Sequence, residues 1–171
     1  TLSNGTLNAT SYALTNAGNI YSILAGAGAL TKSGAGTATL TNANTYSGGT
    51  TVNAGILALS GSGTLGGTSG VLTIGAGTVD LGGLTRTNGA FTLDTGTLTN
   101  GTLNATSYAL TNAGNIYAIL AGAGALTKSG AGTATLTNAN TYSGGTTVNA
   151  GTLTLSGSGT LGSTSGRSEE H

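Results

Sequence analysis

Apolar and polar residues alternate in short runs along this chain, and glycine separates the runs. In Thr37-Ala38-Thr39-Leu40 the alternation puts Ala38 and Leu40 on one side and both threonines on the other. Ile56-Leu57-Ala58-Leu59, Val71-Leu72-Thr73-Ile74, Thr78-Val79-Asp80-Leu81 and Phe91-Thr92-Leu93-Asp94 follow the same pattern. A period of two over about four to six residues predicts half-buried strands, because successive side chains leave a pleated backbone on opposite faces. Gly26-Ala27-Gly28, Gly34-Ala35-Gly36, Gly48-Gly49, Gly66-Gly67 and Gly82-Gly83 supply the corners between them. No stretch carries the helical period over about ten residues that a crossover helix needs, which argues against an α/β fold.

The strands recur. Asn4 to Gly66 is repeated at Asn100 to Gly162, an offset of 96, with three differences: Ser22 against Ala118, Ile56 against Thr152, and Ala58 against Thr154. A long, close internal repeat of strand-forming sequence predicts a solenoid, in which each turn packs only on its neighbours. Residues 1–166 then form a single domain: a unit over about 4–99 and a partial second copy over 100–166. The insertion must comprise whole turns, or every later side chain would change face. Cutting at glycines gives Gly5–Gly28, Ala29–Gly55, Ile56–Gly77 and Thr78–Asn100, with lengths 24, 27, 22 and 23. That predicts roughly seven rungs of about 24 residues and a rod of about 35 Å at strand spacing. Five turns of about 19 residues per unit satisfy the same condition.

Charge narrows the possible partners. Charged residues are 5% of the chain and the formal net charge is zero. Up to Gly166 the cations are Lys32, Arg86 and Lys128, and the anions Asp80 and Asp94. Nucleic acid and anionic membrane surfaces both require clustered Lys and Arg. No apolar run approaches the roughly 20 residues of a membrane-spanning helix. Without cysteine no disulfide framework is available. No signal peptide is visible, so the sequence reads as a mature chain or an excised segment. Arg167-Ser168-Glu169-Glu170-His171 breaks with the preceding composition and reads as a tag or cloning remnant.

The stretch from Gly34 to Gly55 contains Asn44-Thr45-Tyr46-Ser47-Gly48-Gly49-Thr50-Thr51-Val52, an Ala54-Gly55 corner and the Leu-rich strand 56–59. It resembles the autotransporter-associated β-strand repeat. The same string stands at Gly130 to Gly151 and continues through Thr152-Leu153-Thr154-Leu155. The resemblance covers about 26 residues in each copy. It implies an all-β fold, a right-handed parallel β-helix, in the passenger region of a bacterial surface protein that folds outside the outer membrane. The positions carried over are Asn44, Tyr46, Gly48, Gly49, Val52 and Gly55, with Asn140, Tyr142, Gly144, Gly145, Val148 and Gly151 in the second copy. Gly48 and Gly49 permit a sharp corner. Tyr46 reads as a packing residue near that corner with its hydroxyl reaching solvent.

Candidate chemistry is sparse. Gly61 to Gly66 and Gly157 to Gly162 fit G-x-G-x-x-G, but a strand follows where the dinucleotide fold needs a helix, so no cofactor is expected. Asp80, Asp94 and the tail residue His171 do not assemble an acid–base pair, a metal site or a triad, so the sequence does not read as an enzyme. Asn4, Asn8, Asn100 and Asn104 begin formal glycosylation acceptors and read as ordinary corner asparagines. The expected role is a structural stalk or spacer of a cell-surface or secreted passenger, joined to flanking β-helix repeats of its parent chain. One alternative is an adhesin module for a host surface or glycan. Another is self-assembly through unpaired strand edges at the solenoid ends. A third is an ice-binding array of the Thr-x-Thr pairs Thr37/Thr39, Thr85/Thr87, Thr97/Thr99, Thr133/Thr135 and Thr152/Thr154. No nucleic-acid or small-molecule partner is expected.

Overall fold

The computed structural model describes residues 2–162, so the tail reading of 167–171 lies outside the described residues. Nineteen strands and no helix are described, and the strand pairs are parallel. The chain is a β-solenoid of about 8 turns.

Its first face stacks Ser11–Leu14, Ala29–Lys32, Thr50–Val52, Leu72–Ile74, Ala90–Leu93, Ser107–Leu110, Ala125–Lys128 and Thr146–Val148. On this face Tyr12 pairs with Leu30, Leu30 with Thr50, Thr50 with Leu72, Leu72 with Phe91, and Phe91 with Tyr108. Five turns therefore carry Tyr12 to its copy, at about 19 residues per turn. This corrects the expectation of seven rungs of about 24 residues. Glycine marks more than one corner of each turn, so cutting at glycine merged parts of neighbouring turns. The segment Gly5 to Gly28 shows the error. It contains Thr6–Asn8 and Ile23–Ala25, which pair with each other and so lie one turn apart.

A second face runs from Gly18–Ile20 through Thr37–Leu40 and Ile56–Leu59 to Thr152–Leu155. A third, discontinuous face pairs Thr6–Asn8 with Ile23–Ala25, and joins Leu84–Thr87, Gly101–Asn104 and Ile119–Ala121. The strands Thr78–Thr87 and Thr97–Asn104 turn the corner from the second face to the third. Gly82 and Gly83, at φ +67° and +73°, make that bend where the register shifts between Asp80 and Leu84.

Alternation fills the interior with aligned columns. Leu57, Val79, Leu98, Ile116 and Leu136 stack in register and are all buried. Each such side chain contributes about 1.5–3 kcal/mol of burial, and it does so only when the turns beside it are in place.

Candidate functional site

Among the described residues seven polar side chains are buried: Ser22, Lys32, Asn44, Thr50, Asn88, Lys128 and Asn140. Five of them lie in two equivalent stretches, Lys32 to Gly55 and Lys128 to Gly151. The motif positions taken from the sequence lie in these stretches too. Buried polar groups are thus concentrated in the turns that carry the motif positions.

Asn44 sits where the third face loses its strand. Residues 41–49 form no strand, and the equivalent 137–145 hold a single bridge, Ala139 to Thr160. Asn44 Oδ1 accepts from the Leu24 N–H at 2.9 Å. Its Nδ2 donates to the Asn42 carbonyl at 2.9 Å and the Thr64 carbonyl at 3.1 Å. The side-chain amide has the donor and acceptor of a peptide group, and here it replaces one, joining the turn before to the turn after. Asn140 does the same with the Leu120 N–H at 2.8 Å and the carbonyls of Asn138 and Thr160 at 2.9 and 2.8 Å.

Tyr46 is fully buried, which overturns the expectation that its hydroxyl reaches solvent. The ring packs 5.7 Å from the ring of Tyr12, and the hydroxyl lies 2.6 Å from Thr50 Oγ1. Thr50 Oγ1 in turn donates to the Leu65 carbonyl at 3.2 Å, so Tyr46 is the donor in its own bond. Thr50 takes an interior position between Leu30 and Leu72 because Tyr46 gives its hydroxyl a partner. Burial holds the Tyr46 hydroxyl far above its usual pKa, with the Thr50 bond acting weakly the other way. Tyr142 repeats the 2.6 Å contact with Thr146, and its ring packs at a tilt 5.8 Å from that of Tyr108.

Lys32 and Lys128 are both completely buried. By composition they stand out only as cations. Their register was legible, because in Ala29-Leu30-Thr31-Lys32 the alternation puts Lys32 on the side of Leu30. Lys32 Nζ donates to the Gly34 carbonyl of its own corner and to Ala54 O of the next turn at 3.3 Å. Lys128 Nζ donates to the Gly130 carbonyl and to Ala150 O at 3.4 Å. Gly55 and Gly151 stand against these ammonium groups at φ +65° and +73°. A Cβ on Gly55 would lie 2.6 Å from Gly36 O and 2.7 Å from Lys32 Nζ. At Gly48 a Cβ would meet the backbone of Ala29 at 2.6 Å, and at Gly49 that of Val71 at 2.8 Å. Val52 is buried, whereas Val148 is 50% exposed because no later described turn covers it.

Two stretches of the chain, residues 30–59 and 126–155, match the model of the passenger-associated-transport-repeat family. These segments are passenger-associated-transport repeats. The chain is also similar to the adhesin BmaC autotransporter of Brucella suis biovar 1 (strain 1330), with 37% identity over 130 residues, 72% of this chain. It spans 4% of the length of that adhesin. No solved structure matches it. Each transport repeat holds one Lys, one Asn, one Tyr–Thr pair and the corner glycines of the network above, about one and a half turns of coil.

The turns between the two repeats differ. Arg86 stands in register with Leu103, which stacks on Leu120; in the first copy the corresponding stack is Leu7 on Leu24. Arg86 Nε and Nη2 are shielded from water without a partner, and so is Asn88 Oδ1. Desolvation lowers the Arg86 pKa from its usual value. Unpaired polar atoms at an aliphatic position cost stability. Arg86→Leu is therefore expected to stabilise the chain by about 1 kcal/mol, read as a higher urea midpoint at unchanged slope. A lower midpoint would show that the guanidinium contributes to stability.

Asp80 Oδ1 accepts from the Gly82 N–H at 2.8 Å and from Asn100 Nδ2 at 2.9 Å, so it braces the corner. Asn4 and Asn100 hold φ +68° and +57°, a conformation that asparagine tolerates. On the outside of the first face Thr31, Thr51, Thr73 and Thr92 form a column one turn apart. Ala109 interrupts it before Thr127 and Thr147. The sequence pairs did not reveal this column, because its members are single threonines about 19 residues apart.

Proposed function

We propose that this chain is a non-catalytic spacer within a surface-exposed, autotransporter-type passenger, contributing reach and rigidity. The observation that carries this reading is where the buried polar groups are directed. Asn44, Asn140, Lys32 and Lys128 all bond to backbone of neighbouring turns, so the repeat's distinctive residues join turns to one another. The match to passenger repeats supports the surface location. The engagement of Asp80 at its corner supports the non-catalytic reading. Stepwise deletion of whole 96-residue units from the parent protein tests the proposal. Shortened reach or reduced display is expected, and undiminished display and reach at every length would sink it.

A second reading, an adhesive surface, is favoured by the name of the autotransporter adhesin that the chain resembles. Binding of the isolated chain to host cells or a glycan array would favour it over the spacer.

The ends of the coil make a further outcome expected. At the first turns a cavity of about 240 Å³ is bordered by Leu2, Leu7, Tyr12, Leu14, Ile20 and Leu24. At the last, Val148, Leu155 and Leu161 are exposed. Among the described residues nothing covers these columns, and open strand edges over apolar columns recruit further strands. The isolated chain is expected to stack end to end, with a light-scattering mass that rises with concentration and falls back with Leu155→Lys. A monomer at every concentration would refute this.

A further inference from the structure

The position of Lys32 has a regular context. In one interior column of the first face, Leu14, Lys32, Val52, Ile74, Leu93, Leu110, Lys128 and Val148 follow one another in register. Two of eight positions in an aliphatic column are lysine, and both lysines fall inside the transport repeats. Neither ammonium hydrogen-bonds to a carboxylate among the described residues. Both instead bond to main-chain carbonyls at a corner.

We propose that each transport repeat builds an ammonium site between two successive turns, and that the lysine is its tethered occupant, a latch that closes when the next turn docks. The lysine's own turn provides the Gly34 carbonyl, with Gly36 O alongside the corner. The following turn provides Ala54 O, and at Gly55 the absence of a side chain leaves room for Nζ. In the second copy the parts are the Gly130 carbonyl, Ala150 O and Gly151, where a Cβ would fall 2.8 Å from Lys128 Nζ. Neutral carbonyl oxygens suit a monovalent ammonium, while a divalent ion would need carboxylates. An ammonium removed from water with half its partners is strongly disfavoured. The lysine therefore disfavours a state in which its own turn is packed and the next is not, and so it couples the two. An aliphatic residue here would fill the column but leave the corner carbonyls unpaired. This inference goes beyond the spacer reading and stands whether the parent protein is a stalk or an adhesin.

Chemical rescue tests it on the whole chain. Lys32→Ala removes the tether and leaves the site. Its urea midpoint is measured in methylammonium chloride and in tetramethylammonium chloride at equal ionic strength. The midpoint is expected to fall, and methylammonium is expected to restore at least half of the loss while tetramethylammonium, which has no N–H, restores none. Lys32→Met, of similar length but uncharged, is expected to fall and to gain no more from one salt than from the other. Two results would overturn the proposal: a Lys32→Met midpoint at or above that of the parent, or equal effects of the two salts on Lys32→Ala. If Lys32→Ala folds in neither salt, hydrogen exchange on Lys128→Ala decides. Methylammonium-specific protection of the Asn149 amide, which donates to Lys128 O at 2.8 Å, supports the latch, and salt-independent exchange there refutes it.

Discussion

Gly55→Ala is expected to destabilise the chain by about 3–5 kcal/mol, among the largest effects of a single substitution. Two causes act together. At φ +65° a Cβ costs about 1–2 kcal/mol in backbone strain. The same Cβ would press closest on the Gly34 carbonyl and would lie 2.6 Å from Gly36 O and 2.7 Å from Lys32 Nζ, so the corner must move and take the lysine with it. Moving the lysine leaves a buried ammonium without its carbonyls. Gly5 separates the two causes. It has φ +77°, yet a Cβ there meets nothing within 4 Å, so Gly5→Ala is expected to cost only about 1 kcal/mol of strain. Urea denaturation of both variants measures the difference. Equal losses would mean that crowding at the lysine corner has no energetic weight.

The second large effect is expected at Asn44. Asn44→Leu keeps the volume but leaves the Leu24 N–H and the carbonyls of Asn42 and Thr64 without their side-chain partner. The Asn42 carbonyl keeps the Thr64 N–H at 3.2 Å, so the loss falls on the Leu24 N–H and the Thr64 carbonyl. Each buried unpaired group costs about 1–3 kcal/mol, and about 2–4 kcal/mol is expected in all, since such terms do not add fully. The loss should be local in origin, with faster hydrogen exchange at Leu24 and Thr64 before Phe91. Asn44→Asp adds a pH signature. A carboxylate held against two carbonyls has its folded pKa raised above the unfolded value of about 3.9. The variant is therefore expected to be most stable below that value and to lose stability as pH rises through the folded pKa. A pH-independent deficit would show that the side chain has swung away from both carbonyls.

Alternation located five of the nineteen described strands from sequence. Thr37–Leu40 and Ile56–Leu59 form as read, and Thr78–Leu81 begins the longer strand Thr78–Thr87. Alternation is a property of adjacent residues, and burial of one face is enough to enforce it. The same rule places Lys32 beside Leu30 on the inner face, but a charged residue there is credible only once the corner carbonyls that receive it are known. Tyr46 is a similar case. Its hydroxyl is buried because Thr50, four residues away, points inward and accepts its hydrogen bond, a contact that the local sequence does not display.

By itself the sequence determined that the chain is built of short strands, that a 96-residue unit recurs, and that the turns must stack with whole-turn periodicity. Only the tertiary structure decided that five turns, not four, make up the unit, because the length of a turn is set by which strands pair about 19 residues apart. Glycine marks corners of more than one kind and does not say which corner ends a turn. The tertiary structure also decided what Lys32, Asn44 and Tyr46 do. Lys32 and Asn44 bond to backbone groups of neighbouring turns, and main-chain carbonyls and amides carry no sequence signal of their own, while Tyr46 meets Thr50 and Tyr12 only once the coil is closed.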